Sequence, residues 1–277
     1  MIDICEIKAL GGGTFLMRLA APEIAKRAKA GQYLILMTGE TSERVPLTIA
    51  DWDGKAGVVT VLFRVEGAST RRLAAKKAGD TLPHVMGPLG TPTGAGDAKR
   101  VLIAASGMGC TAAHAHLKAL LAGGTQVTVV VSEEENDAPV LLNEMKRLSA
   151  VETVAGDGTY RSVCGAVLEK LGGVDLVLAF GPAQMVKAVA DATRESGVRM
   201  IAGLRPLVID GTGMCGGCRV RVDGKYRYAC IDGPQFDGHA VDFDELIGRS
   251  GFYRRQEEEQ DAHLCRLGIG RDFNDGE

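Results

Sequence analysis

Four residues in the last third of the chain have the types and the spacing of an iron–sulfur ligand set. Asp210, Cys215, Cys218 and Cys230 follow the pattern D-x4-C-x2-C-x11-C. Plant-type [2Fe–2S] loops have the spacing C-x4-C-x2-C with a further, distant cysteine, so Asp210 occupies the place of the first thiolate. Residues 211–218 are mostly Gly and Cys, which lets backbone N–H groups approach cluster sulfides. The pattern predicts a [2Fe–2S] cluster with these four ligands.

Two other interpretations of this loop stay open. Cys215, Cys218 and Cys230 with His239 would form a Cys3His zinc site, in which four ligands surround one ion. Asp210 would alternatively cap the glycine-rich turn, because Asp-Gly is a common turn pair, and water or His239 would complete the iron site. The iron–sulfur interpretation is favoured because all four positions match one ligand pattern.

Two further stretches with chemical potential lie nearer the N-terminus. Residues 44–48 place a cation and a hydroxyl at the edge of a predicted strand. Residues 66–70 open a predicted helix, where free N–H groups and the helix dipole would hold a phosphate. A plain N-cap role for Ser69 and Thr70 is the alternative.

Short strands divided by turns position these two stretches. Gly11 to Gly13 closes the first hairpin, and Asp53-Gly54 closes a later one. With one brief helix at 70–77, the pattern predicts a small antiparallel barrel followed by a linker at 91–98. The predicted strands are 2–10, 14–20, 32–38, 46–51, 57–65 and 80–86.

The hydrophobic period changes after Lys99. A buried strand at 101–105, a turn at 107–109, a helix at 111–121 and a strand at 126–131 form a β–turn–α–β unit. The turn fits the loose dinucleotide fingerprint G-x-G-x-x-A in the context that the fingerprint requires. Another buried strand, 175–180, ends in Gly181-Pro182 before a helix at 183–195. A nucleotide in an open parallel sheet lies at such strand ends.

Several nearby residues have two interpretations each. Glu133, Glu134 and Glu135 would repel a 2′-phosphate and favour NADH over NADPH, or they form a solvated acidic loop. Cys110 would lie near a nicotinamide or be a small buried residue. Four other residues are predicted to be structural or core positions: His114, His116, Cys5 and Cys164.

Composition limits the classes of function. A chain of 277 residues predicts two domains and leaves room for a small third. A net charge of −3 without a long basic block disfavours nucleic acid, and no apolar run is long enough to span a membrane. The N-terminus lacks signal-peptide features, and seven Cys with three clustered favour a reducing cytoplasm over a disulfide framework. We expect a cytoplasmic protein.

The segment after residue 248 is polar. A helix is predicted at 252–264, where the run RRQEEE offers few apolar residues. A surface for a partner and a solvated tail are both consistent with this composition.

The order of barrel, nucleotide domain and cysteine loop resembles ferredoxin-reductase-like electron-transfer subunits. This family includes the subunit of dihydroorotate dehydrogenase and the small subunit of NADH-dependent ferredoxin:NADP+ oxidoreductase, also described as a sulfide dehydrogenase subunit. The likeness covers nearly the whole chain and is most specific in 208–220 and 229–244. Asp210 separates this sequence from the dihydroorotate subunits, which carry Cys there.

The resemblance implies a fold with an FAD-binding antiparallel barrel at 1–95, a parallel-sheet NAD(H) domain at 96–205 and a [2Fe–2S] module at 206–247. Residues 248–277 would form a tail that contacts a partner. The implied cofactor contacts are Arg44, Pro46, Leu47 and Thr48 along FAD, Gly67, Ser69 and Thr70 at its pyrophosphate, and Gly107, Gly109, Phe180, Gly181 and Pro182 at NAD(H).

The sequence departs from the family at two of these positions. Leu47 precedes Thr48 where many ferredoxin reductases have an aromatic residue, so no aromatic from this motif stacks on the flavin. Phe180 stands where the family usually has a cysteine beside the nicotinamide, so no thiol contact is expected there.

The resemblance implies hydride transfer between NAD(H) and FAD, followed by transfer of single electrons to the cluster. It implies a heterodimer with a larger flavin and iron–sulfur subunit, electron bifurcation only within that complex, and ferredoxin as a partner of the complex. The alternatives are an electron-transfer subunit of dihydroorotate dehydrogenase or sulfide dehydrogenase and, from another class, a zinc-stabilised binding module.

Overall fold

A computed structural model describes residues 1–40, 42–135 and 139–251, so the predicted helix at 252–264 lies outside the described residues. The chain divides into two units. Of the described residues, one contains Met1–Ala28, Tyr33–Leu89 and 248–251, and the other contains Lys29–Gln32 and Gly90–Ile247. The predicted boundaries at 95, 205 and 247 stay predictions.

The first unit is built on a seven-stranded antiparallel sheet, which confirms the predicted barrel. Apolar residues alternate along its strands, so that Val59, Val61 and Phe63 of one strand all point into the core. The strands are β1 (Ile2–Gly11), β2 (Thr14–Ala20), β3 (Tyr33–Met37), β4 (Val45–Asp53), β5 (Val58–Arg64), β6 (Thr81–Leu82) and β7 (His84–Leu89).

The barrel differs from the prediction at two places. The strand expected at 80–86 is divided at Pro83 into β6 and β7, since proline has no N–H to donate to a ladder. β6 pairs with β1 and β7 pairs with β3, so consecutive strands lie at the two ends of the sheet order and nearly close it. Two short helices flank the strands, α1 (Pro22–Ala25), which was not predicted, and α2 (Ala68–Ala74).

The second unit contains a mixed sheet in the order β10-β9-β8-β11-β12-β15, whose first five strands are parallel. The predicted parallel-sheet domain is therefore confirmed. Its parallel strands are β8 (Arg100–Ser106), β9 (Gln126–Glu133), β10 (Val151–Ala155), β11 (Leu176–Phe180) and β12 (Arg199–Gly203). The helices between them are α3 (Cys110–Ala122), α4 (Leu142–Leu148), α5 (Arg161–Lys170) and α6 (Ala183–Thr193).

The cysteine region shares this sheet and its core. Its hairpin consists of β13 (Arg219–Val222) and β14 (Lys225–Tyr228), and β15 (Gln235–Asp237) pairs antiparallel with β12 at the sheet edge. The last helix among the described residues is α7 (Phe243–Arg249). Val220, Phe243 and Leu246 are buried in the same cluster as Met200 and Ala202 of β12. No helix among the described residues is long and apolar enough to cross a membrane.

Candidate functional site

Asp210 organises the loop that carries the cysteines. Its Oδ1 atom accepts the backbone N–H of Thr212 and its Oδ2 atom accepts that of Cys215, both at 2.8 Å. The hydrogen bond from Thr212, followed by that from Cys215, lowers the pKa of the carboxyl group. Gly213 has φ +81°, and a Cβ atom there would lie 2.6 Å from the Ile231 side chain. The turn therefore depends on a carboxylate at 210 and on glycine at 213.

Each of the three loop cysteines receives a backbone N–H at its sulfur. Gly217 N donates to Cys215 Sγ and Cys230 N donates to Cys218 Sγ, each at 3.4 Å. The backbone of Gly213 hydrogen-bonds to the Cys230 side chain. Such donors tune the sulfur ligands of iron–sulfur clusters.

Cys218 and Cys230 are buried together, while Cys215 is exposed. Burial, followed by a hydrogen bond with the Cys218 side chain, raises the pKa of Cys230 to about 12. A bound metal ion reverses this preference, because a coordinating thiol is deprotonated. The buried pair therefore suits a metal centre better than a reactive free thiol.

The four predicted ligands adjoin as two pairs, Asp210 with Cys215 and Cys218 with Cys230. A [2Fe–2S] cluster has two irons, and each iron takes two of the four protein ligands. The donor set therefore fits the binuclear cluster.

His239 has other partners in this structure. Its Nε2 atom hydrogen-bonds with Thr193 Oγ1 at 3.0 Å, and its carbonyl accepts Arg194 at 2.8 Å. Its backbone N–H donates to Asp237. His239 is thus tied to the end of α6, which disfavours the Cys3His alternative.

At the start of α2, Thr70 already has local hydrogen bonds. Its Oγ1 atom accepts the N–H groups of Glu66 and Gly67 at 3.0 and 3.1 Å and donates to the Gly67 carbonyl at 3.0 Å. Ser69 Oγ donates to the carboxylate of Glu43. The alternative of an N-cap role for Ser69 and Thr70 is wrong, because Gly67 is the N-cap residue of α2 and Thr70 accepts the Gly67 N–H from the first turn. The phosphate role of these residues stays a prediction.

Successive side chains in the stretch 44–48 lie alternately in the barrel core and on its outer side. Val45, Leu47 and Ile49 are buried in the barrel core, while Arg44 and Pro46 are exposed and Thr48 is half-buried. The period of a strand puts successive side chains on opposite faces. Leu47 therefore offers a bound flavin only its backbone.

The residues predicted to bind the nucleotide lie at the carboxyl ends of β8 and β11. Gly107 has φ +50°, and a Cβ atom at Gly109 would lie 2.3 Å from the Phe180 carbonyl oxygen. A Cβ atom at Gly181 would lie 2.8 Å from Met185 Sδ, and Pro182 precedes α6. Five predicted contact residues thus share one strand edge, where parallel sheets bind nucleotides: Gly107, Gly109, Phe180, Gly181 and Pro182.

The Phe180 side chain points away from that edge into the interior. Its ring lies 4.7 Å from the His116 ring, and a Cβ atom at Gly203 would meet the Phe180 ring at 2.3 Å. His116 is buried and hydrogen-bonds through Nδ1 with the Ala112 carbonyl at 2.8 Å. Burial lowers the pKa of His116 to about 4, so the ring is neutral. Phe180 and His116 therefore pack in the interior, under the strand ends that carry the nucleotide turn.

The described cysteines outside the loop have three different environments. Cys110 is fully buried, which agrees with its interpretation as a small buried residue. Cys164 is half-buried. The prediction that Cys5 is a core position is wrong, because Ile4 fills the core and the next side chain of β1 faces outward.

In the acidic run after β9, Glu134 has an ordered carboxylate. Its Oε1 atom accepts the hydroxyl of buried Ser132 at 2.7 Å, and its Oε2 atom accepts the N–H of Gly158 at 3.3 Å. The Gly156 N–H donates to the Glu133 carbonyl at 2.9 Å. Both partners were missed from the sequence: Ser132 is only two residues from Glu134, whereas Gly158 reaches it through the parallel pairing of β9 with β10.

The cysteine loop is surrounded by exposed apolar side chains. Met214 is 88% exposed, and a Cβ atom at Gly217 would lie 3.2 Å from Ile209. We call this group the apolar loop face; its members are Leu207, Ile209, Met214 and Ile231. Grouped exposed apolar residues mark protein interaction sites.

Comparisons with known proteins agree with this arrangement. Residues 206–242 match the family model described as the iron-sulfur cluster binding domain of dihydroorotate dehydrogenase B. The chain is 38% identical over 242 residues to the dihydroorotate dehydrogenase B (NAD(+)) electron transfer subunit homolog of Thermotoga maritima, covering 86% of each protein.

Solved structures show the same fold. A chain of the NADH-dependent reduced ferredoxin-NADP oxidoreductase is 30% identical with a TM-score of 0.86, covering 96% of this chain and 98% of that one. Phthalate dioxygenase reductase, at 16% identity and a TM-score of 0.60, covers 80% of this chain and 85% of that one and shares the fold. The predicted ferredoxin-reductase-like architecture is confirmed.

Proposed function

This chain belongs to the family of electron-transfer subunits of dihydroorotate dehydrogenase B, and we propose that it passes electrons among NAD(H), FAD and a [2Fe–2S] cluster. Within the family we assign it to the small subunit of an NADH-dependent ferredoxin:NADP+ oxidoreductase. The observation that carries the proposal is the pairing of Asp210 with Cys215 and of Cys218 with Cys230. Two ligand pairs suit two irons.

The chain's own residues bind and orient the cofactors. When bound, FAD and the cluster supply the redox chemistry, which converts a two-electron hydride exchange with NAD(H) into one-electron steps. The exposed face of residues 44–48 would lie along FAD, and residues 67–70 would hold its pyrophosphate. The Gly107–Gly109 turn and residues 180–182 would bind NAD(H), with Gly109 allowing the turn to pack against the backbone at Phe180.

We propose NADH as the preferred nucleotide. Glu134 is held at the end of β9 by Ser132 and Gly158, so its charge has a fixed position at the nucleotide edge of the sheet. A fixed carboxylate there hydrogen-bonds a ribose hydroxyl and repels a 2′-phosphate.

A larger catalytic subunit is the partner that the family implies, and ferredoxin would act through that complex. The apolar loop face supports docking beside the cluster, because permanent interfaces have apolar centres. The tail 248–277 was predicted as a further contact. Replacing Met214 with Asp should weaken co-purification of the partner, and deleting residues 249–277 tests the tail separately. A complex that survives both changes would place the interface elsewhere.

A dihydroorotate dehydrogenase or sulfide dehydrogenase complex is the second candidate. The names of the relatives favour dihydroorotate dehydrogenase, while Asp210 in place of Cys favours our assignment. The identity of the subunit that co-purifies with the native protein decides between them. A cytoplasmic location stays a prediction from cysteine usage.

Cofactor analysis after anaerobic purification tests the proposal directly. We expect one FAD and two irons per chain, together with flavin and cluster absorption bands. Stoichiometric zinc without iron, or FMN in place of FAD, would contradict the proposal.

A further inference from the structure

The loop that follows β10 lies against the acidic run that follows β9. The two strands are parallel neighbours, and Ala155 is paired with Glu133 at their carboxyl ends. The Gly156 N–H donates to the Glu133 carbonyl at 2.9 Å, and the Gly158 N–H donates to Glu134 Oε2 at 3.3 Å. The Glu134 carboxylate is therefore bound by a loop that belongs to the neighbouring strand.

Gly156 leaves the space that the Glu134 carboxylate occupies. A Cβ atom at Gly156 would lie 2.6 Å from Glu134 Cδ and 2.7 Å from the Glu133 carbonyl oxygen. The φ angle of Gly156 is outside the left-handed region, so the constraint is space and not backbone conformation. Gly158 is the opposite case, with φ +67° and nothing within 4 Å of an added Cβ atom. The glycine at 156 is therefore matched to the position of one carboxylate.

Ser132 binds the other oxygen of this carboxylate. Its hydroxyl is buried and donates to Glu134 Oε1 at 2.7 Å. Ser132 is also paired with Ser106, which directly precedes the Gly107–Gly109 turn. Neighbouring strands lie about 4.8 Å apart, so the ordered carboxylate belongs to the strand next to the predicted nucleotide turn. Glu134 is half-buried, and two donors leave about half of its four lone-pair sites for a ligand.

Within the proposed function, in which Glu134 selects NADH over NADPH, we propose that Gly156 and Ser132 are positioning residues that set this preference by fixing the place of the Glu134 carboxylate. The group it selects is the free 2′,3′-diol of the adenosine ribose. A carboxylate that is already ordered accepts hydrogen bonds from a diol without a further cost of ordering its side chain. A 2′-phosphate in the same place meets a charge that cannot rotate away.

The position of the charge and the charge itself have different consequences. A carboxylate that rotates freely on an exposed loop is screened by salt and can avoid a phosphate. Gly156→Ala retains every charge of the chain and displaces the Glu134 side chain, because both need the same space. Ser132→Ala also retains every charge and removes the donor to Oε1. Both variants therefore separate position from charge.

Binding of NAD+ and NADP+ to the full-length chain, purified with its cofactors and measured by calorimetry, tests the proposal without a redox step. In Gly156→Ala and in Ser132→Ala the Kd for NAD+ should rise about threefold, as expected for one weakened hydrogen bond, and the Kd for NADP+ should not rise. In stopped-flow reduction of the flavin, the apparent KM for NADH should rise while the limiting rate stays within about twofold of wild type, since only binding is weakened.

Two matched variants make the same chemical changes elsewhere in this unit. Gly172→Ala adds a Cβ atom that meets nothing within 4 Å, and Ser149→Ala removes a hydroxyl that donates to the Val127 carbonyl. Both should keep the wild-type ratio of the two dissociation constants. Urea unfolding of all four variants measures any loss of stability that does not depend on the nucleotide.

A double-mutant cycle distinguishes positioning from a general disturbance of the loop. In a Glu134→Gln background, Gly156→Ala should no longer change the ratio of the two dissociation constants, because no charge remains to be displaced. The proposal would be overturned by an effect of equal size in both backgrounds, by equal weakening of both nucleotides, or by a wild-type ratio in Gly156→Ala.

Separate measurements distinguish failure of the positioning proposal from failure of the proposed function. The FAD and iron contents of the wild type and reduction of its flavin by NADH report on the proposed function alone. If these are as expected and Gly156→Ala binds both nucleotides as the wild type does, only the positioning proposal fails. A wild type without FAD and iron would contradict the proposed function whatever the ratio of the dissociation constants.

Discussion

Asp210 and Cys215 are joined by a hydrogen bond of 2.8 Å between the Asp210 Oδ2 atom and the Cys215 backbone N–H. The other oxygen of the same carboxylate accepts the Thr212 N–H. The first candidate ligand therefore fixes the backbone of the second. A carboxylate has about four lone-pair sites, so two N–H donors leave capacity for iron.

Replacing Asp210 separates its capping role from ligation. Asp210→Cys should keep the cluster and lower its midpoint potential, because a thiolate donates more electron density to iron than a carboxylate does. Asp210→Ala should lose iron, since it removes both the ligand and the cap. Iron analysis, EPR and redox titration measure these outcomes. An alanine variant with full iron, an unchanged potential and an unchanged EPR signal would show that Asp210 is not a ligand.

Glu134 should set the nucleotide preference. In the wild type, NADH should reduce the bound flavin faster than NADPH, and Glu134→Gln should lower this ratio by about fivefold, or about 1 kcal/mol, because it removes the charge that repels the 2′-phosphate. Stopped-flow bleaching of the flavin measures both rates. Glu135→Gln is the control, as Glu135 is exposed in the same run. Equal wild-type rates with both nucleotides would refute the preference.

Gly109→Ala should destabilise the nucleotide unit. The added Cβ atom would meet the Phe180 carbonyl at 2.3 Å, and backbone cannot move aside as a flexible side chain can. We expect a loss of about 1–3 kcal/mol in the free energy of unfolding and weaker NADH binding. Gly165→Ala is the control, because a Cβ atom in α5 meets nothing within 4 Å and alanine favours the helix by about 0.5–1 kcal/mol. Urea unfolding that shows equal changes would contradict the packing argument.

His116 should make stability depend on pH. Burial lowers its folded pKa to about 4 from the ordinary value of 6.5, so the unfolded chain binds more protons between these values. Stability is fully present above pH 6.5 and is lost as pH falls toward 4, by roughly 3 kcal/mol at most. His116→Leu should flatten this part of the profile. Urea unfolding at a series of pH values measures it, and an unchanged slope in the variant would assign the effect to other groups.

Local periodicity was sufficient to predict the barrel and the first nucleotide-binding unit. The predicted strands at 101–105 and 175–180 correspond to β8 and β11, because a continuous apolar run between turn residues reports burial on both faces. The spacing of the cysteines predicted their grouping for a similar reason, since the ligand pattern is local.

Contacts between residues distant in sequence could not be predicted from local periodicity. The contact of Phe180 with His116 and that of Glu134 with Gly158 depend on which strands become neighbours. The residue type at 180 gave no sign that its ring turns inward. Cys5 was misplaced because a thiol fits both faces of a strand, and only the burial of Ile4 decides the register.

The pairing of β15 with β12 has a consequence for biosynthesis. During translation, β12 emerges before Gln235–Asp237, so for a time the growing sheet has an unprotected outer strand. Such a strand is a template for pairing with another nascent chain. Completion of the cysteine region covers this edge of the nucleotide-binding sheet, so we expect a chain that ends before β15 to aggregate more readily.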